Sequence, residues 1–149
     1  MADVSRQYEG FCHCRSLSYR YQTALPPQQW TVRACQCSFC RLHAVLTTSD
    51  PAGSLSFIAA DPVCLQRYQF GERTVDFLIC RRCGSYLGAS LGAGTDATAV
   101  RYGLINLRAL QGMSLELAEP VMMNYDGESA ASRRARRKAR WTPLARASL

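Results

Sequence analysis

No stretch of this chain approaches the roughly 18 uncharged apolar residues that a membrane-spanning helix needs. Its opening residues, Met1 to Gln7, hold no apolar run of the kind a secretory signal carries. These two absences predict a protein that neither spans a membrane nor is exported, with the cytoplasm as its location. Acid is missing from the C-terminal segment. All 11 acidic residues fall at or before Glu128, whereas Arg133, Arg134, Arg136, Arg137, Lys138, Arg140 and Arg146 follow it. Up to Glu128 the two signs balance, so the formal charge of +7 belongs to one segment and not to the body. A repeat of fixed period is missing as well.

Helical periodicity is scarce, and what replaces it has a period of two. Leu17, Tyr19 and Tyr21 alternate with Ser16, Ser18 and Arg20, the pattern of a half-buried strand. Further short strands are expected at 31–34, 44–47, 55–58, 74–79, 86–89, 97–102 and 121–123. Turn formers punctuate them at Pro26-Pro27, at Asp50 to Gly53, at Asp61-Pro62 and at Gly92 to Asp96. Many short strands with regular punctuation predict a mainly β, antiparallel fold. At 149 residues the chain is one domain by length, large enough to bury a core without covalent staples. We expect residues 1–127 to form that domain and 128–149 to be its basic helical tail, not a second domain.

One helix is expected, from about Ser129 to Arg140, with a further helical turn near 106–110. Asp126 and Glu128 sit at the start of the helix and bases toward its end, as the helix dipole favours. Ala131, Ala135 and Ala139 form one narrow stripe on it. A solvated helix docked through that stripe is the preferred reading. The alternative is a nucleic-acid arm, and it lacks interleaved aromatic residues other than Trp141.

Eight cysteines are the feature that most needs explaining. Seven fall in three clusters: Cys12-His13-Cys14, Cys35-Gln36-Cys37-Ser38-Phe39-Cys40 and Cys80-Arg81-Arg82-Cys83-Gly84. In a reducing compartment such clusters read as metal ligands and not as disulfides. A C-x2-C turn aims two thiolates at one point, and tetrahedral zinc wants its sulfurs about 3.7–3.8 Å apart. Gly84 suits such a turn because it tolerates a positive φ. Thiolates select soft or borderline metals, which sets magnesium and calcium aside. Four ligands close a structural zinc site and three leave a vacancy, so seven cysteines divide naturally as four plus three. Spacing allows two divisions. Cys37 and Cys40 can join Cys80 and Cys83, leaving Cys12, Cys14 and Cys35. Alternatively Cys12 and Cys14 join Cys80 and Cys83, leaving Cys35, Cys37 and Cys40.

In these three motifs, between Gly10 and about Leu87, the chain resembles the glutathione-dependent formaldehyde-activating enzyme family, which includes centromere protein V. The resemblance implies the second division, with Cys12, Cys14, Cys80 and Cys83 structural and Cys35, Cys37 and Cys40 at an active zinc. It also implies a β-tent fold, two zincs per chain and a carbon–sulfur lyase activity joining glutathione or another small thiol to an aldehyde. Two positions depart from the family pattern. Arg15 stands where a glycine is expected after the first pair, and Leu42-His43-Ala44 stands where Gly-Ala is expected.

Other residues receive expectations of their own. Arg33 and Arg41 are candidate clamps for thiol carboxylates, though each alone reads more simply as a solvated arginine. His43 is a candidate fourth ligand or proton relay. His13 is expected to point away from the metal, Cys64 to be a buried core thiol, and Phe39 to pack near the zinc or in the core. A competing function is a non-catalytic, zinc-stabilised module whose basic tail engages nucleic acid or another polyanion.

Overall fold

The computed structural model describes residues 4–91, 99–110 and 116–149. Among these residues the strands form two sheets. The smaller is antiparallel and contains β1 (Arg6–Phe11), β2 (Leu17–Thr23) and β5 (Ser54–Ala59), in the order β1-β2-β5. The larger adds β3 (Arg33–Cys35), β4 (Thr47–Thr48), β6 (Leu65–Tyr68), β7 (Val75–Cys80), β8 (Tyr86–Leu91), β9 (Tyr102–Asn106) and β10 (Val121–Met123). They run β10-β3-β4-β9-β8-β7-β6, with β11 (Thr142–Pro143) also pairing with β9. Two helices complete the set, α1 (Ser38–Leu42) and α2 (Ala130–Arg140). None among the described residues is long and apolar enough to cross a membrane.

The core lies between the sheets, and β2 shows why. Its alternation buries Leu17, Tyr19, Tyr21 and Thr23 and turns Arg20 and Gln22 to solvent. Tyr19 lies opposite Gly10 of β1, where a Cβ would meet the Tyr19 ring at 2.2 Å. That missing side chain makes room for the ring, whose hydroxyl donates to the Asn106 carbonyl at 3.0 Å. Leu55 and Phe57 of β5 join Leu78, Leu87 and Ile105 of the larger sheet in the same cluster. β8 is buried along almost its whole length. Leu87 serves the core, while Ala89 joins Val75, Leu104 and Trp141 in a separate cluster.

Several expectations shift. The strand expected at 97–102 begins only at Tyr102. Ala97, Thr98 and the Gly92–Asp96 turn lie outside the described residues. Gly103 broke the apolar pattern and hid this strand, yet glycine is required there, because a Cβ would sit 2.9 Å from the Ala89 carbonyl oxygen. The strand expected at 44–47 is delayed to Thr47, because Ala44 holds φ +50° just past α1. β10 runs parallel to β3, the exception to the antiparallel expectation. β1, β6, β11 and α1 were not anticipated. The turn near 106–110 is a single 3-10 turn at Leu107–Ala109, capped by the Asn106 side chain.

The segment after α2 threads between the sheets. Thr142 is fully buried and its hydroxyl accepts from the Asp50 amide. The Ala145 and Leu149 amides donate to the carbonyls of Leu55 and Phe57.

Candidate functional site

The two cysteine sets are built differently. Cys12 and Cys14 occupy the loop between β1 and β2, in the smaller sheet. Cys80 ends β7 and Cys83 lies in the turn between β7 and β8, in the larger one. The first loop is shaped by amide bonds from Cys12 to the Leu17 carbonyl and from Arg15 to the Cys12 carbonyl, both 3.0 Å. In the second, the Gly84 amide donates to the Cys80 carbonyl at 2.8 Å, and Gly84 holds φ +79°, the conformation its position called for. The loops meet: the His13 amide donates to the Ser85 hydroxyl at 3.1 Å, and Arg82 donates to the Ser16 hydroxyl at 3.1 Å.

The four sulfurs lie within 4.8 Å of one another. Cys14 stands 3.7 Å from Cys12 and 3.6 Å from Cys80, sulfur to sulfur. These separations are close to the edge of a zinc tetrahedron, about 3.7–3.8 Å, and far beyond a disulfide, about 2.05 Å. Burial pushes the Cys12 and Cys80 thiols up, the latter to about 12. The Ser16 hydroxyl and amide hold Cys14 down. Burial works against ionising Cys83, but the Ser85 hydroxyl and the Cys14 and Ser85 amides hold it down to about 5. The set fits a tetrahedral, sulfur-loving cation.

Cys35, Cys37 and Cys40 come from one short segment. β3 ends at Cys35, Cys37 caps α1, and Cys40 lies in its first turn. The Cys40 amide donates to the Cys37 sulfur at 3.4 Å. All three sulfurs lie within 4.8 Å of one another. Donation from the Cys35 and Cys40 thiols pulls Cys37 well down, while Cys40 is driven well up by its bonds to Cys35 and Cys37 and by burial. A group that already favours a thiolate suits a metal.

Only this second set opens onto the cavity of about 550 Å³ on the outer face of the larger sheet; none of the first set lines it. That volume lies within the range of about 300–1,000 Å³ usual for small-molecule sites. Phe70, Phe77 and Tyr86 make one wall aromatic, with Phe39 packed against them. Phe39 packs on Phe77 at 4.6 Å and on Tyr86 at 5.1 Å between ring centroids, and Phe70 stacks on Phe77 at 5.0 Å. Five arginines also line the cavity, beside Glu72 and Asp126: Arg33 and Arg41, together with Arg133, Arg136 and Arg137 of α2.

The α2 contribution reverses one expectation. Ala131, Ala135 and Ala139 are exposed, and it is Arg133, Arg136 and Arg137 that face the body. Arg133 pairs with Glu72 at 3.0 Å, and Arg136 holds Glu128 at 3.0 Å while lying 3.5 Å over the Tyr125 ring. Their spacing, i, i+3 and i+4, was visible in the sequence, as was Glu128 eight residues before Arg136. The alanines drew the reading to the wrong face. The aromatic cluster also went unread, because its members are far apart along the chain.

The remaining candidates separate clearly. Arg33 is 6% exposed, so the solvated reading fails for it; Arg41 is exposed. His43 is exposed, packs on Phe39 at 4.5 Å and is not among the converging ligand atoms. His13 is exposed and turned out of the four-sulfur group that flanks it. Cys64 is buried in the core, outside both groups, and Phe39 is buried beside the three-cysteine set.

With this geometry in view, the comparisons with known proteins are specific. Residues 7–122 match the model of the family described as glutathione-dependent formaldehyde-activating enzyme. A crystal structure of a Rhodobacter sphaeroides protein is similar with a TM-score of 0.50 at 25% identity, over 76% of this chain and 99% of that one. No curated protein matches. The family match takes in all seven clustered cysteines and ends before α2.

Proposed function

Because this chain belongs to the glutathione-dependent formaldehyde-activating enzyme family, we propose that its three-cysteine cavity is the active site of a zinc-dependent carbon–sulfur lyase. In this reading Cys12, Cys14, Cys80 and Cys83 hold one zinc with no free position. Cys35, Cys37 and Cys40 hold a second, with one position left for a guest. The observation that carries the reading is the asymmetry between the sets. Four sulfurs clip two sheets together away from the cavity, and three sulfurs stand in its wall.

Zinc bound at the three cysteines would keep a guest thiol deprotonated near neutral pH. The rest falls to the chain. The thiolate sulfur donates a pair to the aldehyde carbon, a carbon–sulfur bond forms as the carbonyl π pair moves onto oxygen, and that oxygen takes up from solvent a proton equivalent to the one the thiol lost, giving an S-hydroxymethyl adduct. Tyr86 lines the cavity, and burial, then the charge of Cys40, Cys37 and Cys35, push its phenol well up. Its O–H therefore remains a hydrogen-bond donor for the oxygen as negative charge grows there. The wall of Phe70, Phe77 and Tyr86, with Phe39 packed against it, limits water, which would compete for the aldehyde. Read in reverse, the same groups release aldehyde and thiol. Glutathione and formaldehyde are the proposed substrates, and eight unpaired cysteines suit a reducing cytoplasm.

Replacing Cys37 by Ala tests the proposal. Cys37→Ala is expected to abolish the acceleration of adduct exchange over the uncatalysed rate, followed by carbon-13 exchange NMR of labelled formaldehyde with glutathione, while leaving one zinc per chain and a cooperative unfolding transition. Full activity in Cys37→Ala would overturn the reading. Global unfolding of Cys37→Ala would make this set structural as well.

A further inference from the structure

We propose that α2, which lies beyond the family-matched segment, gives the cavity an anion-binding wall. Arg137 and Arg33 would be its specificity-determining residues, selecting a thiol that carries carboxylates. The inference deepens the reading above and rests on it for the guest's sulfur.

The argument begins with which arginines are already satisfied. Arg133 is paired with Glu72 and Glu128, and Arg136 with Glu128. Arg33 and Arg137 have no carboxylate within ion-pair distance among the described residues. The Arg33 guanidinium reaches only the hydroxyl of Ser49, which itself donates to the Arg140 carbonyl of α2 at 2.7 Å. Arg137 donates to the Thr74 hydroxyl at 3.1 Å and lies 5.4 Å from the centre of the Trp141 ring. Its Nε–H is buried and has no hydrogen-bond partner among the described residues. Both line the cavity that holds the three cysteines.

Guanidinium groups held this way are costly without an anion, since burial removes water and the neutral hydroxyls return only part of it. Burial, and after it the charges of Arg136 and Arg133, lower the Arg137 guanidinium to about 10. A carboxylate can take two parallel N–H bonds from one guanidinium, so an arriving carboxylate satisfies what the chain leaves open. The lining thus offers apolar surface from Phe70, Phe77 and Tyr86 and an anion-binding surface from Arg33 of β3 and Arg137 of α2. A peptide thiol with free carboxylates fits that lining, and a small neutral thiol does not.

The test is calorimetric binding to the zinc-loaded full chain. The probes are glutathione, S-methylglutathione (both carboxylates kept, sulfur blocked) and the diethyl ester of S-methylglutathione. We expect S-methylglutathione to bind, and to bind at least tenfold more tightly than its ester. Arg137→Gln should weaken S-methylglutathione tenfold or more and leave the ester unchanged. Arg137→Lys should recover part of the loss, because it restores charge but not the planar fork. Arg134→Gln, on the exposed side of α2, should change nothing. No binding of S-methylglutathione, equal affinity for acid and ester, or an equal loss in Arg134→Gln would each overturn the proposal. If Arg137→Gln does not fold, the acid-to-ester ratio and Arg137→Lys decide. The two readings separate cleanly. Glutathione binding no tighter than S-methylglutathione, with the Arg137 dependence intact, rejects the thiol chemistry and keeps the wall. Sulfur-dependent binding indifferent to Arg137 rejects the wall alone.

Discussion

Arg15 and Ala44 stand at the two places where the family resemblance leads one to expect glycine nearby, and both hold positive φ, +67° and +50°. For a residue with a Cβ, that conformation costs roughly 1–2 kcal/mol. The two differ in compensation. Arg15 lays its guanidinium 4.6 Å from the centre of the Phe11 ring, a contact of about 0.5–1 kcal/mol at an exposed site. Ala44 is exposed and follows the α1 C-cap, where glycine is the usual choice. Glycine also has more unfolded-state freedom to lose, roughly 0.5–1 kcal/mol. Ala44→Gly is therefore expected to raise stability by about 0.5–1 kcal/mol in urea unfolding, and Arg15→Gly to leave it within about 0.5 kcal/mol. A loss of stability in Ala44→Gly would contradict the strain argument.

At the scale of elements, α2 and β8 show how position overrides composition. α2 docks through charged side chains, and Glu128 is its hinge pin. The hydrogen bonds and charge of Arg136 hold the Glu128 carboxyl below its ordinary value. A depressed carboxyl stabilises the docked state above its unfolded pKa, and that contribution disappears as pH falls through the folded value. The Trp141 indole resonance in NMR should thus shift on acidification below about pH 4.5. In Glu128→Gln it should lack that step. β8 meets both the core and the cavity face, and Gly88 is its tightest point. A Cβ there would lie 2.3 Å from the Leu104 carbonyl oxygen and 2.8 Å from the Phe57 ring. Gly88→Ala should cost about 1–3 kcal/mol by overpacking, read from the same urea curves.

These elements also explain what the sequence reveals. The clustered cysteines are legible because C-x-C and C-x2-C encode a local turn, and β2 because alternation encodes a face. The cavity is not legible in that way. Phe39, Phe77 and Tyr86 converge only through sheet topology, and the strand of Tyr102–Asn106 is masked by the glycine its close packing demands. The inward face of α2 was set by Glu72 and Glu128, partners whose proximity depends on the whole fold.

For the whole molecule, the four-cysteine set joins a loop of one sheet to a loop of the other, and the chain between them spans most of the family-matched segment. Binding there closes a long loop and is coupled to folding. The three-cysteine set spans six residues on one side of the cavity, so its occupancy bears on ligand binding more than on the fold. Metal content followed during a chelator titration of the reduced protein, with circular dichroism recorded in parallel, tests this division most directly. Two zincs per chain are expected, the first leaving with the spectrum unchanged and the second only as the protein unfolds. Reduced protein that is metal-free as isolated, and equally stable with and without a strong chelator, would contradict the account.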